Sequence, residues 1–103
     1  MNTAFSTKVY DILRTVPKGK VATYKQMAQL AGSPRAARAI GMIMKLNPDA
    51  PRTPCHRVVA SDGSMHGYSG KGGIAGKKAM LLAEGVTFKG EKVDLSSSQW
   101  KTQ

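Results

Sequence analysis

Residues 23–45 read Thr23-Tyr24-Lys25-Gln26-Met27-Ala28-Gln29-Leu30-Ala31-Gly32-Ser33-Pro34-Arg35-Ala36-Ala37-Arg38-Ala39-Ile40-Gly41-Met42-Ile43-Met44-Lys45, two helices with a corner between them. Thr23 is suited to N-cap a helix from Tyr24 to Ala31, and Gly32 ends it, since glycine tolerates the left-handed conformation past a helix C-terminus. Ser33-Pro34 supplies a second N-cap with proline at the first helical position, which predicts a helix running to about Leu46. Two helices joined by a three-residue turn containing glycine form a helix-turn-helix signature. Many helical proteins contain such a corner, so the faces of the second helix carry the weight. At 100° per residue, Ala36, Ile40 and Ile43 share one side, while Arg38, Gly41 and Lys45 share the opposite side with Ala37 beside them. The apolar stripe is assigned to the core. The outer face sets two cations among small residues, which lets a helix approach a nucleic-acid backbone closely and neutralise phosphate.

Composition agrees with that reading. The chain has 103 residues, enough for one domain with a modest core. Sixteen Lys+Arg against six Asp+Glu give a net charge of +10. Such an excess favours a polyanion, and for a small domain nucleic acid leads. Solubility charge spread evenly would give the same sum, and an ordinary solvated face would also carry Arg38 and Lys45. One cysteine excludes an intramolecular disulfide, and one Cys with two His cannot supply the four ligands of a structural zinc. With no signal-type N-terminus and no long apolar run, the chain reads as cytoplasmic.

The flanks are read in order. Phe5, Val9, Ile12, Leu13 and Val16 lie on one face of a helix over residues 3–16, capped by Ser6 or Thr3 and closed by Pro17. Pro17-Lys18-Gly19-Lys20 is a turn and Val21-Ala22 a short extended piece. Asn47-Pro48 ends the second helix of the pair, and residues 49–53 connect it to Thr53-Pro54-Cys55-His56-Arg57-Val58-Val59. This block holds the sole cysteine beside one of the two histidines. Pro54 fixes its own φ and biases Thr53 towards extended backbone, so Cys55 leaves a stiff loop to enter a β-branched run. A free cysteine is most often an inert buried hydrophobe, and reactivity needs a neighbour that lowers its pKa.

His56 to Ala60 reads as a strand, turned by Ser61-Asp62-Gly63 into a hairpin partner at residues 64–66. The glycine-rich loop over 67–73 has no Walker spacing and no Ser or Thr after a lysine, which excludes a nucleotide triphosphatase. Ile74 to Glu84 reads as a helix with Ala79, Leu82 and Ala83 inward and Gly85 at the C′ position. Glu84 opposes the helix dipole there, which suggests another role for the acid, although chance variation at the surface is the default explanation of such a residue. Residues 86–100 are assigned to an extended edge pinned by Trp100. The expected fold is mostly α with a short β-hairpin, a winged-helix-like helix-turn-helix domain over residues 1–103.

Together these blocks resemble the O6-alkylguanine-DNA alkyltransferases and their alkyltransferase-like relatives. Residues 16–24, the run Ala36-Ala37-Arg38-Ala39-Ile40-Gly41 continuing to Asn47-Pro48 and Pro54-Cys55-His56-Arg57-Val58-Val59, and the pieces Gly67-Tyr68-Ser69-Gly70 and Leu81-Leu82-Ala83-Glu84-Gly85 carry the likeness. The resemblance implies that Cys55 accepts an alkyl group from guanine O6 in one in-line displacement. His56 would take the thiol proton through a water, and Glu84 would orient that histidine. Tyr68 would hydrogen-bond the leaving guanine, the Ser69 N–H would meet its O6, and Val58 would line the substrate pocket. Asn47 would brace the turn between the recognition helix and Cys55. The target base would be flipped from double-stranded DNA, with Arg38 filling its space and Tyr24 helping to rotate its phosphate. Ala37, Gly41 and Lys45 would face the minor groove. The stable thioether implies a single turnover without a cofactor or metal.

In length the chain is similar to the alkyltransferase-like proteins. These bind alkylated guanine without removing the group and pass the lesion to nucleotide excision repair; full-length alkyltransferases usually carry a further N-terminal domain. A monomer is expected in either case.

Overall fold

The first apolar repeat forms α1 (Thr3–Leu13), which buries Val9 and Leu13. In this computed structural model, residues 3–49, 52–65 and 72–101 are described. The helix stops short of the expected end, and a turn carries the chain on to buried Val16, whose N–H donates to the Leu13 carbonyl at 3.1 Å. Ser6 lies inside α1 and so does not cap it.

β1 (Ala22–Thr23) leads directly into α2 (Tyr24–Leu30). Thr23 caps that helix reciprocally: its hydroxyl accepts from the Gln26 N–H at 3.0 Å, and the Gln26 side chain accepts from the Thr23 N–H at 3.3 Å. Gly32 follows at φ +81°, a left-handed conformation that favours glycine. α3 (Ala37–Lys45) begins later than the sequence predicts. Ser33 and Pro34 start a separate turn instead, closed by the Ala36 N–H on the Ser33 carbonyl at 2.9 Å. Turning the chain uses those residues, and Ile40 and Ile43 then meet Met27 and Ala28 in the core.

The cysteine block differs in detail from the expected strand. Cys55–Arg57 is a single 3-10 turn, with the Arg57 N–H on the Pro54 carbonyl at 2.9 Å, and only Val58–Val59 form β2. β2 pairs parallel with β1, setting Ala22 against Val58 and Thr23 against Val59. Side chains along a strand alternate between faces. Ala22 and Val58 accordingly enter one buried cluster with Cys55, α1, α2 and α3, while neighbouring Val21 and Val59 enter a second with Met65, Leu81, Val86 and Val93. The two-stranded sheet is therefore the wall between two cores, and Cys55 sits where the chain enters that wall.

The expected hairpin after β2 is absent among the described residues. The Ala60 N–H donates to the Ser64 carbonyl at 2.8 Å and closes a loop, without a ladder beyond it; His66 lies outside the described residues. The hairpin instead forms from β3 (Phe88–Lys89) and β4 (Lys92–Val93), antiparallel, with Gly90 in its turn at φ +62°. The tail is thus not one extended edge. After β4 comes one helical turn, α5 (Leu95–Ser98), capped by Asp94, and only Gln99 and Trp100 lie along Val21. Trp100 packs against the first core, as expected.

α4 (Gly73–Ala83) is rotated relative to the predicted face. Lys77 and Leu81 point inward, while Ala79, Leu82 and Ala83 are exposed. The cause is polar: the Lys77 ammonium donates to the Val58 carbonyl at 2.7 Å, which the apolar pattern alone does not register. The result is the expected mostly α fold with a helix-turn-helix and a short hairpin.

Candidate active site

Cys55 is 4% exposed and follows a segment tied down by hydrogen bonds at Asn47, Asp49 and Thr53. Asn47, just beyond α3, donates from its side chain to the Thr53 carbonyl at 2.7 Å and accepts from the Asp49 N–H at 3.0 Å. The Thr53 hydroxyl donates to Asp49 at 3.0 Å and accepts from Arg14 Nε at 3.2 Å. One asparagine thus couples the last turn of α3 to the backbone that presents the thiol.

Glu84, at the end of α4, reaches across to the turn that holds Cys55. Its carboxylate accepts from Arg57 Nε at 2.9 Å and Arg57 Nη2 at 2.8 Å, and it lies 3.0 Å from His56 Nε2. Arg57 Nη1 also donates to the Val16 carbonyl at 2.9 Å, tying the group to the end of the first helical segment. The awkward acid of the sequence is therefore the acceptor for two neighbours. Burial raises the Glu84 pKa, but the hydrogen bonds from Arg57 and His56 and their charges outweigh it and leave it below the ordinary value. Burial lowers the His56 pKa, and the adjacent Glu84 only partly offsets this.

Burial therefore favours the neutral imidazole. A carboxylate only accepts, so Nε2 carries the ring proton and Nδ1 keeps its lone pair. Nδ1 is buried and has no hydrogen-bond partner among the described residues. The pairing with Glu84 thus leaves Nδ1 able to accept a proton, on the residue that follows the thiol in sequence.

Two charged residues beyond the expected set join this group. Arg57 is one. Lys77 is the other, 2% exposed, its pKa lowered to about 8 by burial while a negative charge on Cys55 would pull it back up. A sequence signal existed for Lys77, because it precedes Glu84 by seven residues and so shares its helix face. The ordinary lysine value is 10.5, so the unfolded chain keeps this proton well above pH 8 and the folded chain does not. Stability should accordingly rise between pH 8 and 10, by about 2 kcal/mol. Urea titrations across that interval should show the rise in the wild type and its absence in Lys77→Met. The Tyr10 and Tyr24 pKa values are raised above 10.0 by burial first and by Cys55 second, so these phenols oppose the rise only at the top of the interval, where the unfolded chain begins to lose their protons.

The other expected residues are placed as follows. Tyr24 starts α2, partly buried against the Cys55 cluster. Val58 is fully buried with its side chain in the core, its N–H donates to the Cys55 carbonyl and its carbonyl accepts from Lys77. Arg38 and Lys45 are exposed on α3, and Ala37 and Gly41 are half-buried. A Cβ added at Gly41 would meet nothing within 4 Å, so nothing in the fold asks for glycine there. Tyr68 and Ser69 lie outside the described residues.

Residues 4–86 match the family model described as 6-O-methylguanine DNA methyltransferase, DNA binding domain. The chain belongs to that family. The methylated-DNA–protein-cysteine methyltransferase of Cricetulus griseus is 46% identical over 78 residues, covering 76% of this chain and 37% of the relative. This methyltransferase-family chain therefore spans little more than a third of that relative's length. A DNA base-flipping protein of Escherichia coli K12 is 39% identical over 98 residues, covering 94% of this chain and 74% of the relative. Among solved structures, S. pombe Atl1 in complex with damaged DNA containing O6-carboxymethylguanine superposes with a TM-score of 0.84 at 33% identity, covering 99% of both chains. Mycobacterium tuberculosis OGT in complex with DNA gives 0.77 at 40% identity, over 82% of this chain and 52% of that one. The cysteine, histidine and glutamate described above thus sit on a methyltransferase-family fold.

Proposed function

We propose that this protein binds duplex DNA, flips out O6-alkylguanine and transfers the alkyl group to Cys55. His56 Nδ1 takes the thiol proton through a water. The sulfur then forms a bond to the alkyl carbon as the C–O6 bond breaks, and the electron pair stays on guanine. Tyr68 and Ser69 are assigned to hold the leaving guanine, and Lys77 adds positive charge near the thiolate. Arg38 fills the space of the flipped base, Tyr24 turns its phosphate, and Ala37, Gly41 and Lys45 lie along the groove. The observation that carries this reading is the pairing of His56 Nε2 with Glu84, which leaves Nδ1 without a partner among the described residues.

Intact-protein mass spectrometry after incubation with an O6-methylguanine duplex tests it. A gain of one methylene unit, mapped to the Cys55 peptide, is expected; no gain would reject transfer.

A second reading is favoured by the full-length match to Atl1 bound to damaged DNA. Here the protein acts as a monomeric cytoplasmic sensor that binds the lesion without transfer and hands it to nucleotide excision repair. Selective lesion binding without a mass gain is its signature.

Both readings place Gly41 against DNA, and this yields a result that a purely structural glycine would not give. Gly41→Ala should stabilise the fold by about 0.5–1 kcal/mol, since glycine is a poor helix former and the space is open. The same variant should bind duplex several-fold more weakly, because the added methyl stands between helix and backbone. Paired thermal melts and anisotropy titrations check both signs.

A further inference from the structure

Of the five apolar side chains of Met or larger size between residues 37 and 46, three turn inward and two do not. Ile40, Ile43 and Met44 are buried, whereas Met42 is 47% and Leu46 63% exposed. Single exposed apolar residues are ordinary on protein surfaces. These two are neighbours at i and i+4 and so lie side by side on the helix. Taking Arg38 as the origin, helical geometry puts Lys45 at about −20°, Gly41 at about −60° and Ala37 at about −100°, with Met42 at about +40° and Leu46 at about +80°. The outer face therefore has cations along its centre, small residues on one flank and an apolar ridge on the other.

We infer that Met42 and Leu46 form a wedge that enters the DNA groove beside Arg38 and unstacks the base step next to the extruded nucleotide. This rests on the reading of α3 as the DNA-facing helix. The occupant is argued from continuity: the ridge shares its face with Arg38 and Lys45, α3 carries no acidic residue, and the whole chain bears +10. An apolar ridge beside cations suits a polyanion whose interior is apolar. Base pairs provide that interior, and inserted Met and Leu side chains are a known way of prising base steps apart. The flexible thioether of Met42 conforms to a stack of any sequence. Leu46 closes the helix, its N–H donating to the Met42 carbonyl at 3.0 Å, which sets the two side chains one turn apart. The small-residue flank lets the backbone approach closely, and the ridge then acts on one side only, giving the opening a direction.

The test combines Met42→Ala/Leu46→Ala with a duplex carrying 2-aminopurine beside O6-methylguanine. Both positions are exposed, so the variant should fold as the wild type does, and circular dichroism confirms it. Wild-type binding should brighten the 2-aminopurine as the step unstacks. The double variant should leave it dark and bind about tenfold more weakly, with an unchanged slope of log affinity against log salt, because no phosphate contact is removed. Lys45→Ala should instead lower that slope by about one unit while leaving the 2-aminopurine signal bright.

Unchanged brightening and affinity in the double variant, with binding lost in Arg38→Ala, would overturn the wedge and keep the DNA-facing helix. No effect from either variant would overturn both. A change in self-association by sedimentation, with DNA affinity intact, would assign the ridge to contact between copies and overturn the wedge.

Discussion

Cys55→Ala should show no mass gain after incubation with an O6-methylguanine duplex, while the wild type takes up one methylene unit per molecule. The change is from stoichiometric transfer to none, the largest effect expected of any single substitution here. Cys55 is the only cysteine in the chain, and removing its sulfur removes the one atom suited to form a stable thioether. The cost to the fold is small. Cys55 packs at the edge of the first core, and losing one buried atom there costs on the order of 1 kcal/mol. Lesion affinity should stay within about threefold, since base flipping and α3 do not depend on the thiol. Cys55→Ser should also fail to accept the alkyl group, because a hydroxyl is far less acidic than a thiol and His56 is a weak base. A mass gain that survives in Cys55→Ala would move the acceptor elsewhere and remove the transfer reading.

The helix-turn-helix was legible because its signals are local. Thr23 caps the helix it precedes, and Ile40 and Ile43 face the core at the spacing that predicts it. Asn47, Cys55, His56 and Glu84 were legible as residues of interest, through their block and through an acid at an unfavourable helix end. What the sequence could not convey were contacts between segments distant along the chain. β2 pairs with β1 across 36 residues, in parallel, so no turn sequence marks the partnership. Alternation along the chain points instead to a neighbouring partner, and so to a hairpin at residues 64–66. The true hairpin, over residues 88–93, is only four strand residues and a glycine turn, too short for alternation to register. α4 misled for a different reason. Its inward face holds a lysine, and a burial pattern built on apolar residues turns such a helix the wrong way. Only the Val58 carbonyl, awaiting a donor on the other side of the wall, explains the orientation.

The same kind of distant contact makes Glu84 the most consequential structural residue. Glu84→Ala should lower stability by about 3–5 kcal/mol, a large part of what a domain of this size has. Arg57 and Glu84 are 16% and 14% exposed, so removing the carboxylate leaves a largely buried guanidinium without its counter-charge. His56, 1% exposed, loses the acceptor for its Nε2 proton at the same time. Thermal melts should show a fall of about 15 °C or more. The pH dependence should change with it. The folded Glu84 pKa lies below its unfolded value, so its stabilisation is full above the ordinary carboxylate range and is lost as pH falls through the folded pKa. Burial also lowers the His56 pKa, so its neutral form adds stability above pH 6.5 that is lost as pH falls through the folded value. Both groups therefore make the wild type acid-sensitive, and Glu84→Ala should lack the carboxylate share of that slope.

Structure and chemistry can be separated by a second variant. Arg57→Met/Glu84→Met removes both charges together and replaces them with apolar volume, so much of the stability should return. Alkyl transfer should not return with it, because His56 would still lack the acceptor that fixes its tautomer. Transfer restored along with the melting temperature would show that Glu84 holds the fold and does not orient the base. A stable protein that still binds the lesion but transfers slowly would assign it the orienting role.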